Sequence, residues 1–164
     1  MKMRFYKNIL LLIVATYLFV ACGEKKQARA PRSFEETLAI HLDAILARDL
    51  TALAPTVADS VTLIGPDGFK MTSKESFMKL HENWFKRTNW KWERVAMKTQ
   101  CTDSLGYALI RYKYSERDSL GTITFQNENY LVLIFRNFRQ GWQLVHDQNT
   151  GIPVNNDVKA QPAI

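Results

Sequence analysis

The 164-residue chain carries 22 basic and 16 acidic residues, a formal net charge of +6. Residues 1–21 hold three of the basic residues and no acidic one, so residues 22–164 have a net charge of only +3. That charge does not indicate a nucleic-acid-binding protein, which needs a clustered basic surface. The chain has two cysteines, and no group of Cys and His residues has zinc-site spacing. The sequence therefore indicates no nucleic-acid partner, no metal and no cofactor.

The N-terminus has the pattern of a secretory signal. Three basic residues come before an uncharged apolar run at residues 9–20, which is shorter than the ~20 residues of a membrane-spanning helix. The run ends in Phe19-Val20-Ala21-Cys22, which resembles the lipobox of bacterial lipoproteins. In that class the cysteine becomes the acylated N-terminus of the mature protein, and its acyl chains anchor the protein to the membrane. A retained N-terminal anchor helix is the alternative interpretation.

The lipobox resemblance predicts a signal peptide at residues 1–21 and lipidation of Cys22. Gly23 does not look like an inner-membrane retention signal, so we expect a lipid anchor in the bacterial outer membrane, facing the periplasm or the cell surface. Residues 22–33 contain no apolar residue larger than alanine after the cysteine and predict a flexible tether. One domain is expected at residues 34–153, with an irregular tail at residues 154–164.

The first part of the domain has helical patterns. Ser33 and Glu36 form a capping box, and apolar residues follow at helical spacing. Asp49 can cap a short second helix that ends before Pro55. Thr72 and Glu75 form another capping box before a helix that ends near Arg87. One side of this last helix carries Phe77, Leu80, His81, Trp84 and Phe85.

The rest of the domain has strand patterns. Strand, turn and strand are predicted at residues 61–71, between the helices. From Trp90 the apolar period changes to two, which predicts long strands at about residues 90–100, 105–116, 122–138 and 140–149. Helices followed by an antiparallel meander predict an α+β domain, with the helices packed on one face of a strongly curved sheet.

This order of elements resembles the nuclear transport factor 2-like superfamily, which includes SnoaL-like cyclases and ketosteroid isomerases. Three stretches resemble the association domain of calcium/calmodulin-dependent protein kinase II. They are residues 82–87 (ENWFKR), residues 108–111 (ALIR), and Trp142, Val145, His146, Thr150, Gly151 and Pro153, which fit Trp-x-x-Val-His-x-x-x-(Ser/Thr)-Gly-x-Pro. The resemblance implies a cone-like fold with a cavity between helices and sheet, and a homodimer built by the outer sheet face.

The resemblance also implies a site. Arginines line the cavity of the association domains, and Arg87 and Arg111 match two of those positions. Either could clamp a carboxylate through a bidentate guanidinium. Asn149 stands where relatives often have another arginine, which makes the expected pocket only partly cationic. Trp84 and His146 complete the predicted pocket.

The last strand separates two candidate catalytic residues. A strict period of two puts His146 on one face with Trp142, Leu144 and Gln148, and it puts Asp147 and Asn149 on the other face with Val145. His146 and Asp147 then form no catalytic pair unless a bulge intervenes. Asp59, Asp103 and Asp118 fall at predicted strand ends or turns, so no catalytic base is predicted.

Three interpretations of function remain open. The first is a lipid-anchored, non-catalytic module that binds a small ligand or oligomerises. The second is a SnoaL-like isomerase, cyclase or hydratase acting on a small polar or aromatic compound, with Tyr112, Tyr114 or Tyr130 as donors. A buried carboxylate or histidine opposite a tyrosine would favour the enzyme, whereas an apolar cavity with two arginines would favour binding. The third is an accessory lipoprotein with a filled cavity, which acts through its outer surface.

Overall fold

A computed structural model describes residues 32–153. The predicted signal peptide, Cys22, the tail at residues 154–164 and all but the last two residues of the predicted tether lie outside this range. The helices are α1 (Phe34–Ala47), α2 (Leu50–Leu53) and α3 (Lys74–Phe85), with a 3-10 turn at Ala54–Thr56 after α2. The strands are β1 (Val57–Ile64), β2 (Lys70–Met71), β3 (Trp90–Cys101), β4 (Leu105–Arg117), β5 (Ile123–Phe138) and β6 (Gly141–Gly151).

Side-chain caps fix where the helices begin. The Ser33 hydroxyl accepts a hydrogen bond from the Glu36 backbone N–H at 3.1 Å. The Asp49 carboxylate accepts hydrogen bonds from two backbone N–H groups of α2, as the sequence predicts. In α3 the cap is Ser73, which accepts the Ser76 amide at 3.2 Å. The predicted cap at Thr72 was therefore wrong by one residue, since the serine after it offers the same hydroxyl.

The six strands form one sheet in the order β2-β1-β6-β5-β4-β3. The four long strands β3 to β6 pair antiparallel, as predicted from their period of two. Strand β1 pairs in parallel with β6, which makes the sheet mixed. Helices followed by a strongly curved sheet confirm the predicted α+β class.

The helices cover one face of the sheet, which we call the inner face. Phe34 of α1 contacts Phe135 and Trp142 with ring centroids 5.8 and 5.6 Å apart, and His41 of α1 contacts the edge of Phe135. The buried core is aromatic and aliphatic, and removing such surface from water is the main driving force for folding.

The opposite, outer face of the sheet carries a half-exposed apolar patch. Strand register places its members side by side on β4 and β5: Tyr107, Leu109, Tyr130, Val132 and Ile134. We call these five residues the outer patch. Over residues 32–153, no helix is long and apolar enough to cross a bilayer.

Candidate functional site

A cavity of about 430 Å³ lies between the helices and the inner face. This volume is within the roughly 300–1,000 Å³ that is usual for small-molecule sites. Most of its wall is apolar, with side chains from α1, β1, α3, β3 and β5 that include Leu42, Ile45, Leu63, Leu80, Trp92 and Leu131. The side chains of residues 32–153 leave this space open, whereas the third interpretation expects side chains to fill it.

Asp147 of β6 reaches this cavity from the middle of the sheet. It is only 4% exposed, and its partners in the neighbouring strands are Leu63 of β1 and Leu133 of β5, both buried. Leucines offer a carboxylate no hydrogen bond, and none of the cations of residues 32–153 pairs with Asp147. Burial therefore raises the pKa of the Asp147 carboxyl to about 7, although a hydrogen bond from Asn149 acts in the opposite direction.

A hydrogen-bond chain orients this carboxyl. The Tyr112 hydroxyl donates to Asn149 Oδ1 at 2.7 Å, and Asn149 Nδ2 donates to Asp147 Oδ1 at 2.9 Å. Tyr112 lies on β4, stacked on Trp92 with centroids 5.1 Å apart. Burial raises the pKa of the Tyr112 phenol, so the hydroxyl keeps its proton. The chain presents a fixed, uncharged donor to the aspartate.

The predicted residues Arg87 and Trp84 also line the cavity, near its exposed edge. Arg87 forms an ion pair with Glu116, and Glu116 accepts a further hydrogen bond from the Tyr114 hydroxyl at 2.7 Å. These hydrogen bonds, Tyr114 first, hold the pKa of Glu116 below its usual range. Because Arg87 already has a carboxylate partner, its charge is compensated inside the protein.

Arg111 and His146, also predicted for the pocket, are not among the residues that line this cavity. Arg111 pairs across the strands with Tyr130 of the outer patch and donates two hydrogen bonds to Glu128, at 2.9 and 2.6 Å. His146 Nε2 is 3.3 Å from Gln148 Oε1. Both side chains belong to the outer face, away from Asp147.

A bulge at Val145 sets the two faces of β6. Ile134 pairs with His146 and Phe135 pairs with Leu144, so Val145 is an extra residue between them. The predicted grouping of His146 with Trp142 and Leu144 was therefore wrong, because the bulge moves those two residues to the inner face with Asp147. The predicted separation of His146 from Asp147 is confirmed.

His81 of α3 is a second titratable residue in the cavity wall. Its Nδ1 is 2.8 Å from the Phe77 carbonyl oxygen, one turn earlier in the helix. Burial lowers the pKa of His81 to about 4, so the ring is neutral near pH 7. The predicted site did not include His81 or Asp147. Asn149 could have led to Asp147, because residues two apart share a strand face.

The remaining aspartates considered from the sequence are solvent-exposed: Asp59, Asp103 and Asp118. Within the part of the chain that the structure describes, no three His, Cys, Asp or Glu side chains are grouped so that they could hold a metal ion. The chemistry available in the cavity is therefore that of one buried carboxyl, one neutral imidazole, phenol and amide groups, and the Arg87 guanidinium, which is paired with Glu116.

A family profile described as a SnoaL-like domain matches residues 35–154. This range contains the cavity wall and every candidate residue of the domain discussed above. A search of the curated proteins finds no significant relative of this sequence.

Several solved structures have a similar fold. A protein of unknown function from Pseudomonas putida, described as NTF2-like, aligns with a TM-score of 0.62 at 13% identity over 75% of this chain and 86% of its own. A ketosteroid isomerase-like protein from Erwinia carotovora atroseptica gives 0.55 at 18% identity over 73% and 93%. The association domain of C. elegans calcium/calmodulin-dependent protein kinase II gives 0.56 at 13% over 69% and 88%. At these identities the likeness is one of fold.

The burial of Asp147 predicts a specific pH dependence of stability. Its pKa is raised on folding, so the folded state holds the proton more tightly, and stability falls as pH rises from about 4 to about 7. Asp147→Asn keeps an uncharged acceptor for Asn149. We expect this variant to match wild type near pH 4 and to be more stable by a few kcal/mol, roughly 4 at most, above pH 7.

Urea unfolding followed by tryptophan fluorescence across this pH range measures the difference. Asp103→Asn, which removes an exposed carboxylate, is the matched control and should show no such divergence from wild type. A difference between Asp147→Asn and wild type that stays constant with pH would contradict the raised pKa.

Proposed function

Because the chain belongs to the SnoaL-like domain family, we propose that its cavity performs acid–base catalysis on a small, neutral, largely apolar compound. Asp147 is the group that takes up and returns the proton. The observation that carries the proposal is a carboxyl buried in an apolar cavity, with its pKa raised by burial to about 7. A catalytic group works best when its pKa lies near the operating pH, because both protonation states are then accessible.

The surroundings of Asp147 fit the role of a base. The Asn149 amide fixes one carboxyl oxygen at 2.9 Å and is itself held by Tyr112 at 2.7 Å, so the carboxyl needs no reorganisation during the reaction. The low polarity of the wall disfavours the ionised carboxylate and therefore increases its basicity. Asn149 and Tyr112 act as positioning residues.

The reaction class follows from this set of groups. A single base of moderate strength in a largely apolar site suits proton abstraction next to a carbonyl, which is the first step of isomerisations, of many cyclisations and of eliminations of water. The similarity in fold to a ketosteroid isomerase-like protein agrees with this class. Arg87 in the cavity wall and Arg111 on the outer face each have a carboxylate partner, which favours a neutral substrate over an anionic one.

Deuterium exchange at the carbon next to a ketone tests the proposal without the natural substrate. We expect the protein to speed exchange of 2-tetralone in D₂O above the buffer rate, with activity that rises through an apparent pKa of about 7, since the base must be ionised. Asp147→Asn should reduce the rate by about 100-fold or to the buffer level. Proton NMR follows the loss of the exchanging signal.

Asp103→Asn is again the matched control, and it should keep the wild-type rate and pH profile. An Asp147→Asn protein that is folded and still exchanges the ketone at the wild-type rate would remove Asp147 from the mechanism. In that case a non-catalytic module that binds a neutral ligand becomes the better interpretation of the cavity.

We also propose that the protein forms a homodimer through the outer patch. Two observations support this: apolar residues at the centre of an exposed sheet face, with Tyr130 42% exposed, and the similarity in fold to a protein-kinase association domain. A sheet face of this kind can pack on a second copy of itself around a two-fold axis.

Light scattering on the chain from residue 23 onward should give twice the monomer mass. Val132→Lys places a charge in the centre of the outer patch and should give the monomer mass. Gln126→Lys, on the same strand but outside the patch, should remain dimeric. A monomeric wild-type protein would contradict the proposal.

Finally, we propose that Cys22 carries lipid and that the domain is anchored to the bacterial outer membrane. The support is the sequence pattern Phe19-Val20-Ala21-Cys22 after a basic start and an apolar run. Acyl chains contribute roughly 0.8 kcal/mol for each buried CH₂, so more than one chain gives stable attachment.

Replacing Cys22 with Ser should move the protein out of the membrane fraction or block its processing. Cell fractionation and electrophoretic mass measure both effects. Cys101→Ser, at the exposed cysteine of the domain, should leave both unchanged. If Cys22→Ser behaves as wild type in both measurements, Cys22 is not the attachment site.

A further inference from the structure

His81 is held in one tautomer by the backbone of its own helix. Its Nδ1 is 2.8 Å from the carbonyl oxygen of Phe77, and a carbonyl oxygen can only accept. The Nδ1 atom therefore carries the proton and donates a hydrogen bond to the Phe77 carbonyl. In a neutral imidazole the other nitrogen, Nε2, is then an acceptor with a free lone pair.

The Nε2 atom of His81 has no hydrogen-bond partner among residues 32–153. His41 Nε2 also lacks a hydrogen-bond partner, but that atom is fully buried in the core, whereas His81 Nε2 is not among the fully buried unpaired atoms of these residues. The His81 side chain is 96% buried, with 4% exposed, and its ring lines the cavity. A molecule in the cavity can therefore reach this lone pair.

Neighbouring rings fix the position of the imidazole. Phe77 stacks on it with centroids 4.1 Å apart, while Trp84 and Phe85 contact it edge-on at 5.8 and 5.6 Å. The aromatic contacts and the bond to Phe77 leave the ring little freedom to turn. The acceptor is thus preorganised, which lowers the entropic cost of binding a ligand.

The side-chain hydroxyl and amide groups of the cavity wall already have hydrogen-bond partners within the protein. The Tyr112 hydroxyl donates to Asn149 and the Tyr114 hydroxyl donates to Glu116. The remaining two amides, Asn127 and Asn129, donate to each other. His81 Nε2 has no such partner among residues 32–153 and is accessible from the cavity, so a ligand donor that reaches it adds a hydrogen bond in largely apolar surroundings.

We propose that His81 Nε2 accepts a hydrogen bond from a hydroxyl or N–H group of the ligand. The ligand class is a small, neutral, largely apolar molecule that carries one such donor, such as a phenol, an alcohol or an indole. The inference rests on the proposed function only in taking the cavity as the ligand site. His81 acts in specificity, because it selects for the donor and does not itself react.

A pair of probes that differ only in the donor tests the proposal. 2-Naphthol has a hydroxyl proton, and 2-methoxynaphthalene has the same ring system and oxygen without it. Titration of the full chain should show that 2-naphthol binds roughly fivefold more tightly, the effect of one net hydrogen bond. Indole and 1-methylindole give the same comparison for an N–H donor.

His81→Phe should bind both members of each pair with equal affinity, because the ring is kept and the acceptor is lost. His146→Phe, at the histidine of the outer face, is the matched control and should keep the fivefold preference. The same preference in wild type and in His81→Phe would overturn the proposal. So would a wild-type protein that binds both probes equally or binds neither.

Wild-type protein labelled with ¹⁵N in histidine gives a readout that does not depend on how the variant folds. The unprotonated Nε2 resonance of the buried, cavity-lining histidine should shift with 2-naphthol and stay in place with 2-methoxynaphthalene. No shift with bound 2-naphthol would overturn the proposal.

Asp147→Asn separates this inference from the proposed catalysis. That variant should lose ketone exchange and keep the preference for 2-naphthol, because the donor contacts His81. If wild-type protein prefers 2-naphthol but does not exchange the ketone, only the proposed catalytic role of Asp147 is contradicted. If wild-type protein exchanges the ketone but does not prefer 2-naphthol, only the proposed role of His81 is contradicted.

Discussion

A strand presents alternate residues to opposite faces, and the extra residue at Val145 shifts that alternation in β6 by one position. Before the bulge, Trp142 and Leu144 pack into the core under α1. After it, Asp147 and Asn149 occupy the inner face at the cavity. A regular strand that kept Leu144 in the core would place Asp147 on the outer face, in water. The candidate site therefore depends on one irregularity in the pairing of β5 with β6.

That placement brings a carboxyl into an environment that opposes its charge. Asp147 lies between Leu63 and Leu133 in the two neighbouring strands. A fully paired carboxylate would be ionised at neutral pH and would be a weak base. The one hydrogen bond from Asn149 orients the Asp147 carboxyl, but it does not cancel the rise in pKa that burial causes. The fold thus gives up some stability at neutral pH, and under the proposed function the same burial gives Asp147 its basicity, a compromise that is common at functional sites.

Most of the fold could be predicted from the sequence, because it depends on local signals. Each signal involves only a few neighbouring residues: the helix caps at Ser33 and Asp49, and the change to a period of two at Trp90. The helices and strands that these signals predict are confirmed. The parallel pairing of β1 with β6 joins residues about 85 positions apart in the chain, and no local pattern indicates it.

The site was less accessible to sequence reasoning for the same reason. Arg87, Trp84 and Asn149 do line the cavity, whereas Arg111 and His146 belong to the outer face. The sequence assigns Asp147 no role, because its raised pKa comes from burial among residues of two other strands, Leu63 and Leu133, and not from its own neighbours in the chain. The helical spacing places His81 on the apolar side of α3, but it does not indicate that Nδ1 bonds to the Phe77 carbonyl and leaves Nε2 without a partner among residues 32–153.

The electrostatics of the cavity limit what it can bind. Arg87 is compensated by Glu116, and Arg111 by Glu128 on the far face, so neither offers an unpaired cation to an anion. Burial keeps the His81 imidazole uncharged near neutral pH, and it raises the pKa of the Asp147 carboxyl to about 7, so that a large share of this carboxyl is protonated there. An ionic ligand would lose its hydration without gaining a partner, whereas a neutral one loses little. The cavity offers a ligand two polar contacts, the Asp147 carboxyl on the sheet side and His81 Nε2 on the α3 side. The ligand we propose is therefore an uncharged molecule that reaches both the sheet and α3.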